Sequence, residues 1–363
     1  MGLVRFYLAS AVAAFHAGII LQKEAGLLWD KALILGMDGW HAVIFFYIVS
    51  GFLISYVLEH KYPLTLSSTA AFYRARVLRI YPLWWAVCAF SFFTWGDWNF
   101  MESGVPTMVS VITLIGLDWL VGFRNYPELD FSFFLPYTAL GWTLSVEITF
   151  YALAPFLLRS LPAAVLVFTA SISWRFIVWA TSEDFTSHMR WNFYPFPSTV
   201  SFFLLGHFAR RAYQLKPELY RFGAWLLLPA AICIFNMPLF ELDSLWLYAA
   251  ALLFALALPA LFEVTKNQRI LNFFGDLTYP LYLTHGFCIV AFVMFLKTPT
   301  GLTLLDRVRQ IPDLNAQSYA WMLPLLAICT LVAIAVRYAV EIPFSAILRA
   351  ALDGVGKLKI RPA

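Results

Sequence analysis

Residues 40–58 read WHAVIFFYIVSGFLISYVL, without a single Asp, Glu, Lys or Arg. At 1.5 Å per residue a helix of this length covers about 28 Å, close to the ~30 Å hydrocarbon core of a bilayer. No water is available there to satisfy backbone N–H and C=O groups, so a run of this kind reads as a spanning helix. Similar apolar runs occur at 3–21, 81–96, 107–122, 142–158, 162–180, 197–212, 222–238, 244–263, 278–296 and 318–340. The composition agrees: of 363 residues 61% are hydrophobic and only 13% charged, where a soluble domain carries about a quarter charged. The chain therefore reads as an all-α, polytopic helical bundle with no room for a sizeable soluble domain.

Basic residues set the orientation, because cytoplasmic loops retain Lys and Arg. If all eleven runs crossed with the N-terminus inside, Arg210, Arg211, Lys216 and Arg221 would fall outside, as would Arg349, Lys357, Lys359 and Arg361. The run at 107–122 is short and precedes a Pro-rich, acidic stretch. If it does not cross, the clusters around Arg74, Arg76 and Arg79, around 210–221, and at Lys266 and Arg269 all fall inside. Glu128, Asp130, Glu183, Asp184, Glu241 and Asp243 then lie outside. Arg307 and Arg309 are the exception, partly balanced by Asp306 and Asp313. The expectation is ten spans with both termini cytoplasmic, with eleven as the alternative. Residues 346–363 form a short basic cytoplasmic tail, and the aromatic-rich excursion 97–141 is placed to cap an outer-face site.

The formal charge of +4 reflects these loops and gives no sign of nucleic-acid binding. Cys88, Cys233, Cys288 and Cys329 sit in apolar segments without disulfide or zinc spacing, and read as packing residues. The N-terminus, with a single Arg5 followed by an apolar run through Gln22 that contains the small residues Ala9–Ala14, superficially resembles a signal peptide. Its length and the spans behind it favour a retained helix.

Ionisable residues inside spans cost roughly 2.5 to 3.5 kcal/mol on insertion scales, so each is a functional candidate. Arg5 and His16 are eleven positions apart, which on an α-helix places them about 20° apart in azimuth and about 16 Å apart in depth. His16 is then either a satisfied core histidine or a reactive one. Arg76 and Arg79, at i and i+3, share a face and can converge on one anion such as a phosphate; equally they can serve as a topology anchor. Glu147, one turn from Tyr151, needs a partner from another helix, as an acid or base or as a structural hub. Thr278, Tyr282 and His285 form a polar stripe that should face the bundle interior.

Five motifs occur in order: Arg5 and His16 in the first helix; Phe45-Phe46 to Ser50-Gly51-Phe52; Arg76-x-x-Arg79-Ile80-Tyr81-Pro82; Trp142-Thr143-Leu144-Ser145-x-Glu147; and Tyr279-x-x-Tyr282-Leu283-x-His285. Together they resemble the acyltransferase 3 family of membrane acyltransferases, over nearly the whole chain and as a stand-alone transmembrane member with its domain at 1–345. One departure is that relatives often carry an aspartate just before the Phe-Phe pair, where this chain has Val43-Ile44, with Asp38 and His41 upstream.

The resemblance implies transfer of an acyl group, acetyl by analogy, from cytosolic acyl-coenzyme A to a hydroxyl of a surface glycan or similar acceptor at the periplasmic face of a bacterial inner membrane. It implies His16 as the essential histidine, Arg5 as its motif partner, and Arg76 and Arg79 on the donor phosphates. Glu147 and His285 are implied to line the same interior, with Trp142 and Tyr282 supporting. No metal and no permanently bound cofactor is implied; acyl-coenzyme A is a co-substrate. His16 would be a general base or a transient acyl carrier. The rival from another class is a proton-coupled transporter of a glycan precursor or small solute using buried Glu147, His16 and His285.

Overall fold

The computed structural model describes residues 1–27, 37–95, 105–123, 140–235 and 244–358. Among them there are fifteen α-helices and no strand. The helices are α1 (Gly2–Ala25), α2 (Gly39–Lys61), α3 (Leu66–Trp95), α4 (Val105–Thr113), α5 (Leu117–Phe123), α6 (Gly141–Leu157), α7 (Leu161–Thr181), α8 (Phe185–Asn192), α9 (Phe196–Leu215) and α10 (Leu219–Phe235). They continue as α11 (Leu245–Thr265), α12 (Arg269–Leu296), α13 (Pro299–Arg309), α14 (Leu314–Val336), a π-helical turn (Arg337–Glu341) and α15 (Ile342–Leu358). Seven helices among the described residues are long and apolar enough to cross a membrane, which makes the chain a multi-pass membrane protein.

Local chemistry sets the boundaries. The Asp38 carboxylate accepts from the His41 backbone N–H at 2.8 Å and caps α2; Ser160, Ser244 and Asp313 cap α7, α11 and α14 in the same way. Gly26, at φ 59°, closes α1 in the left-handed conformation that glycine adopts without penalty. The run at 107–122 is not one helix. It breaks between α4 and α5, where Leu114 and Gly116 take φ of 61° and 72°, and nine residues of helix reach only about 14 Å. The acidic residues expected outside at Glu128, Asp130, Glu241 and Asp243 lie outside the described residues, as do Lys359, Arg361 and most of the 97–141 excursion. Residues 346–358 of the expected tail continue α15 as helix.

Two helix pairs form the centre. α2 and α9 approach until backbone meets backbone: a Cβ on Gly51 would collide with the Phe203 carbonyl, and one on Gly206 with the Ile48 carbonyl. Close approach at small residues is how helices associate without a hydrophobic drive between them. The pairs Gly51 with Phe203, Ser55 with His207 and Glu59 with Arg210 advance together along both helices, so α2 and α9 run parallel. α1 and α12 are also parallel, since Gly2 packs on Leu271, Arg5 on Gly275, and His16 on His285. Phe150 stacks on Phe203 between α6 and α9, and Phe45 and Phe52 of α2 pack on Phe254 and Phe262 of α11, the four first-named rings having no exposed surface.

Candidate active site

The α1/α12 pair carries the first half of the site. His16 Nδ1 lies 2.9 Å from His285 Nε2, with the rings 15° from coplanar and their centroids 5.2 Å apart. His285 Nδ1 is 2.7 Å from the Tyr282 carbonyl oxygen. A carbonyl only accepts, so the proton of neutral His285 is on Nδ1 and its Nε2 carries a lone pair. His16 must then donate from Nδ1, which places its own lone pair on Nε2. Among the described residues His285 is fully buried, whereas His16 is partly exposed. Phe15, Trp40, Phe193 and Trp142 form a continuous aromatic wall beside it, with ring centroids 5.7, 6.0 and 4.8 Å apart in succession.

Toward the other end of α1, a cavity of about 300 Å³ is bounded by Arg5, Arg76, Arg79, Glu147, Tyr151 and Tyr282. Glu147 accepts from Ser50 Oγ at 3.1 Å and from the Tyr151 hydroxyl. Tyr282 reaches the cavity while its hydroxyl engages Thr143 Oγ1 at 2.7 Å, and its backbone carbonyl orders His285. One residue thus joins the cavity to the histidine pair. The Arg76 guanidinium sits over the rings of Phe72 and Tyr151 at 5.5 and 5.6 Å. The Nε atoms of Arg5 and Arg76 are buried without a hydrogen-bond partner in the structure, so donors on two sides of the cavity are left for a ligand acceptor.

Arg5, Arg76 and Arg79 also border a wider cleft of about 1220 Å³ between α3 and the π turn with α15. Arg74, Ser345, Arg349 and Asp353 line its outer part, and Arg74 pairs with Asp353 at 2.5 Å. At the junction of cleft and cavity, Arg79 Nη1 donates to Glu341 Oε1 at 2.7 Å and the guanidinium stacks 5.5 Å from the Tyr279 ring. The π turn, a single wide turn of a type frequent at functional sites, turns the Glu341 carboxylate into this junction.

The structure brings all eight expected site residues to two connected places: Arg5, Arg76, Arg79, Glu147 and Tyr282 at the cavity, and His16 with His285 beyond Tyr282 next to the wall that includes Trp142. Arg5 and His16 do share a face, and that face is the one against α12. Glu147 does find its partner on another helix, Ser50 of α2. Arg76 and Arg79 differ in state: Arg79 is held by a carboxylate, and Arg76 by aromatic rings. Where relatives carry an aspartate, Val43 lines the cavity instead, and Asp38 serves as a helix cap bound to His41. Sequence reading missed Glu341, whose signal was an Arg337/Glu341 pair at i, i+4 at the end of an apolar run. It also missed Asp118, buried in α5, which accepts from Ser145 Oγ at 2.7 Å and from the Phe196 N–H at 3.1 Å; this tie orients the helix that carries Glu147.

A helical membrane protein with a reachable, hydrogen-bonded histidine next to an arginine-lined cavity and cleft is the class defined by this architecture. Residues 1–339 of 363 match the family profile of the acyltransferase domain, acyltransferase 3. The chain belongs to that family, and is in general terms a membrane acyltransferase. Neither a curated protein nor a solved structure gives a match.

Proposed function

We propose that this protein transfers an acyl group, acetyl in the first instance, from cytosolic acyl-coenzyme A to a hydroxyl of a surface glycan or related acceptor, with His16 Nε2 as the reacting base. The observation that carries the proposal is the His16–His285–Tyr282 chain, in which His16, the partly exposed member, donates from Nδ1 and has its lone pair on Nε2. In the general-base route the acceptor hydroxyl gives its proton to Nε2 while its oxygen attacks the thioester carbonyl. The C–S bond breaks, the thiolate takes the proton from Nε2, and the products are an ester and the free thiol. In the acyl-carrier route Nε2 attacks the thioester first, the C–S bond breaks and the thiolate leaves; the acyl group then passes from the acyl-imidazolium to the acceptor hydroxyl, whose proton goes to the thiolate. In both, positive charge appears on the ring and strengthens the Nδ1–H donation to His285.

The donor end fits the cleft. Coenzyme A is a polyanion, and Arg5, Arg76 and Arg79 present guanidinium donors suited to its phosphates. Glu341 on Arg79 then acts as a placeholder that donor phosphate displaces. Ten helices cross in this reading: α1, α2, α3, α6, α7, α9, α10, α11, α12 and the α14–α15 rod. The parallel pairs support the number. With α4–α5 not crossing, α1 and α12 are spans one and nine, and α2 and α9 spans two and six; an eleventh crossing between them would make both pairs antiparallel. Both termini and the arginine cleft then face the cytoplasm of a bacterial inner membrane, and His16 lies nearer the periplasmic side.

The test uses purified protein with radiolabelled acetyl-coenzyme A and an envelope fraction. Label in a macromolecular product, or accelerated donor hydrolysis, supports the proposal. Donor untouched with every envelope fraction refutes it.

A further inference from the structure

A second polar pocket, of about 620 Å³, opens between the C-terminal ends of α2, α6 and α9, and shares no lining residue with the cleft or cavity. It lies at the same end of the bundle as the cleft. The Tyr62 ring, beside this pocket, packs on Phe72 at 5.6 Å, and Phe72 carries Arg76 on the cleft side. Its charged lining is Arg159, Arg210 and Arg211 against a single carboxylate, Glu59.

Two features separate it from an ordinary rim of basic residues that marks a cytoplasmic loop. Arg210 and His207 are 5% and 4% exposed, so they are not solvated anchors. Their remaining valences also point to something absent: Arg210 Nε and His207 Nε2 are buried and have no hydrogen-bond partner. Other atoms of both side chains are already engaged. Arg210 Nη2 donates to Glu59 at 2.6 Å while its guanidinium stacks on Tyr56 at 5.0 Å and Tyr213 at 5.4 Å, and His207 Nδ1 is 2.8 Å from Ser55 Oγ. Arg159 is oriented by the carbonyls of Tyr62 and Pro155. Ser55 Oγ spends its proton on the Gly51 carbonyl, so His207 donates from Nδ1 and leaves an acceptor on Nε2; beside it stand the Arg210 Nε–H and the guanidinium groups of Arg159 and Arg211, a set with net positive charge whose buried unpaired members are costly without a ligand. Leu58, Leu158 and Leu215 supply an apolar margin, and Leu215 is 76% exposed at the rim.

We propose that this pocket binds a phosphate group, carried either by the headgroup of an anionic phospholipid of the adjoining leaflet or by free phosphate, as a site separate from acyl transfer. Assignment to the cytoplasmic leaflet rests on the orientation given above; the phosphate chemistry does not. The Arg211 guanidinium can present a bidentate fork to two phosphate oxygens, and Arg210 adds its Nε–H.

The test is lipid retention by native mass spectrometry on the full chain, after reconstitution in equal mixtures of phosphatidylglycerol and phosphatidylcholine. Phosphatidylglycerol should stay bound selectively through detergent washing. Arg211→Gln, a half-buried position, should lower that retention about tenfold, the effect of losing one hydrogen bond to a charged group. If free phosphate is the occupant, millimolar inorganic phosphate should instead raise the melting temperature of the unvaried protein in neutral detergent, and do so less in the variant. Equal retention of both lipids together with no phosphate-dependent stabilisation overturns the proposal, with or without a folded variant. Because neither readout involves acyl transfer, failure here is distinguishable from failure of the acyltransferase reading.

Discussion

Replacing His285 by Phe keeps an aromatic ring of similar width in a fully buried position and removes the acceptor 2.9 Å from His16 Nδ1. His16 would no longer be held with its lone pair on Nε2, and the imidazolium formed during reaction would lose its partner. A hydrogen bond to a charged group contributes about 1.5–3 kcal/mol, which converts to a loss of about ten- to 150-fold in rate. Fixing the wrong tautomer in the serine-protease triad costs about 10⁴, an upper bound here because His285 is a neutral acceptor and not a carboxylate. The loss should fall on kcat, with the donor KM near its original value, since no donor-binding arginine touches His285. His285→Gln retains an amide oxygen that can accept from Nδ1–H and should recover part of the rate. The assay is initial rate of label transfer from acetyl-coenzyme A, with the melting temperature as folding control. A folded His285→Phe protein with kcat within twofold of the original refutes the tautomer argument.

Three further outcomes follow from the same geometry. His16→Ala should abolish transfer while the protein still folds, because the partly exposed ring contributes little packing; near-original activity on label transfer would remove His16 from the mechanism. Arg76→Gln should raise the KM for acetyl-coenzyme A about tenfold, the worth of one charge-assisted hydrogen bond, and leave the rate with a phosphate-free thioester such as acetyl-N-acetylcysteamine unchanged; steady-state kinetics on the two donors checks both parts. Gly206→Leu, at the backbone contact of α2 and α9, should prevent recovery of monodisperse protein in size-exclusion chromatography, since the new side chain meets the Ile48 carbonyl and not a side chain that can move aside.

The helices themselves were legible in the sequence because the bilayer sets their requirement locally: enough apolar residues to cover its core, with few charges among them. The shared face of Arg5 and His16 was legible for the same reason, being a consequence of 3.6 residues per turn within one helix. The break at Leu114–Gly116 was legible only as a short run, since the backbone angles that interrupt it depend on the contacts of α4 and α5.

What tertiary structure alone decided is which helix meets which. The polar stripe of Thr278, Tyr282 and His285 marks an interior face but names no neighbour, and association turns on close steric fit at positions such as Gly51 and Gly206. The pairing of His16 with His285, 269 positions apart, could not be read from periodicity, and neither could the placement of Glu341 on Arg79. The sequence by itself thus determined a helical membrane protein and the polar residues it can least tolerate without a purpose. The packing of α1 on α12 then decided which nitrogen of His16 carries the proton, because a proton's position is set by the acceptor that the neighbouring helix brings within hydrogen-bond reach.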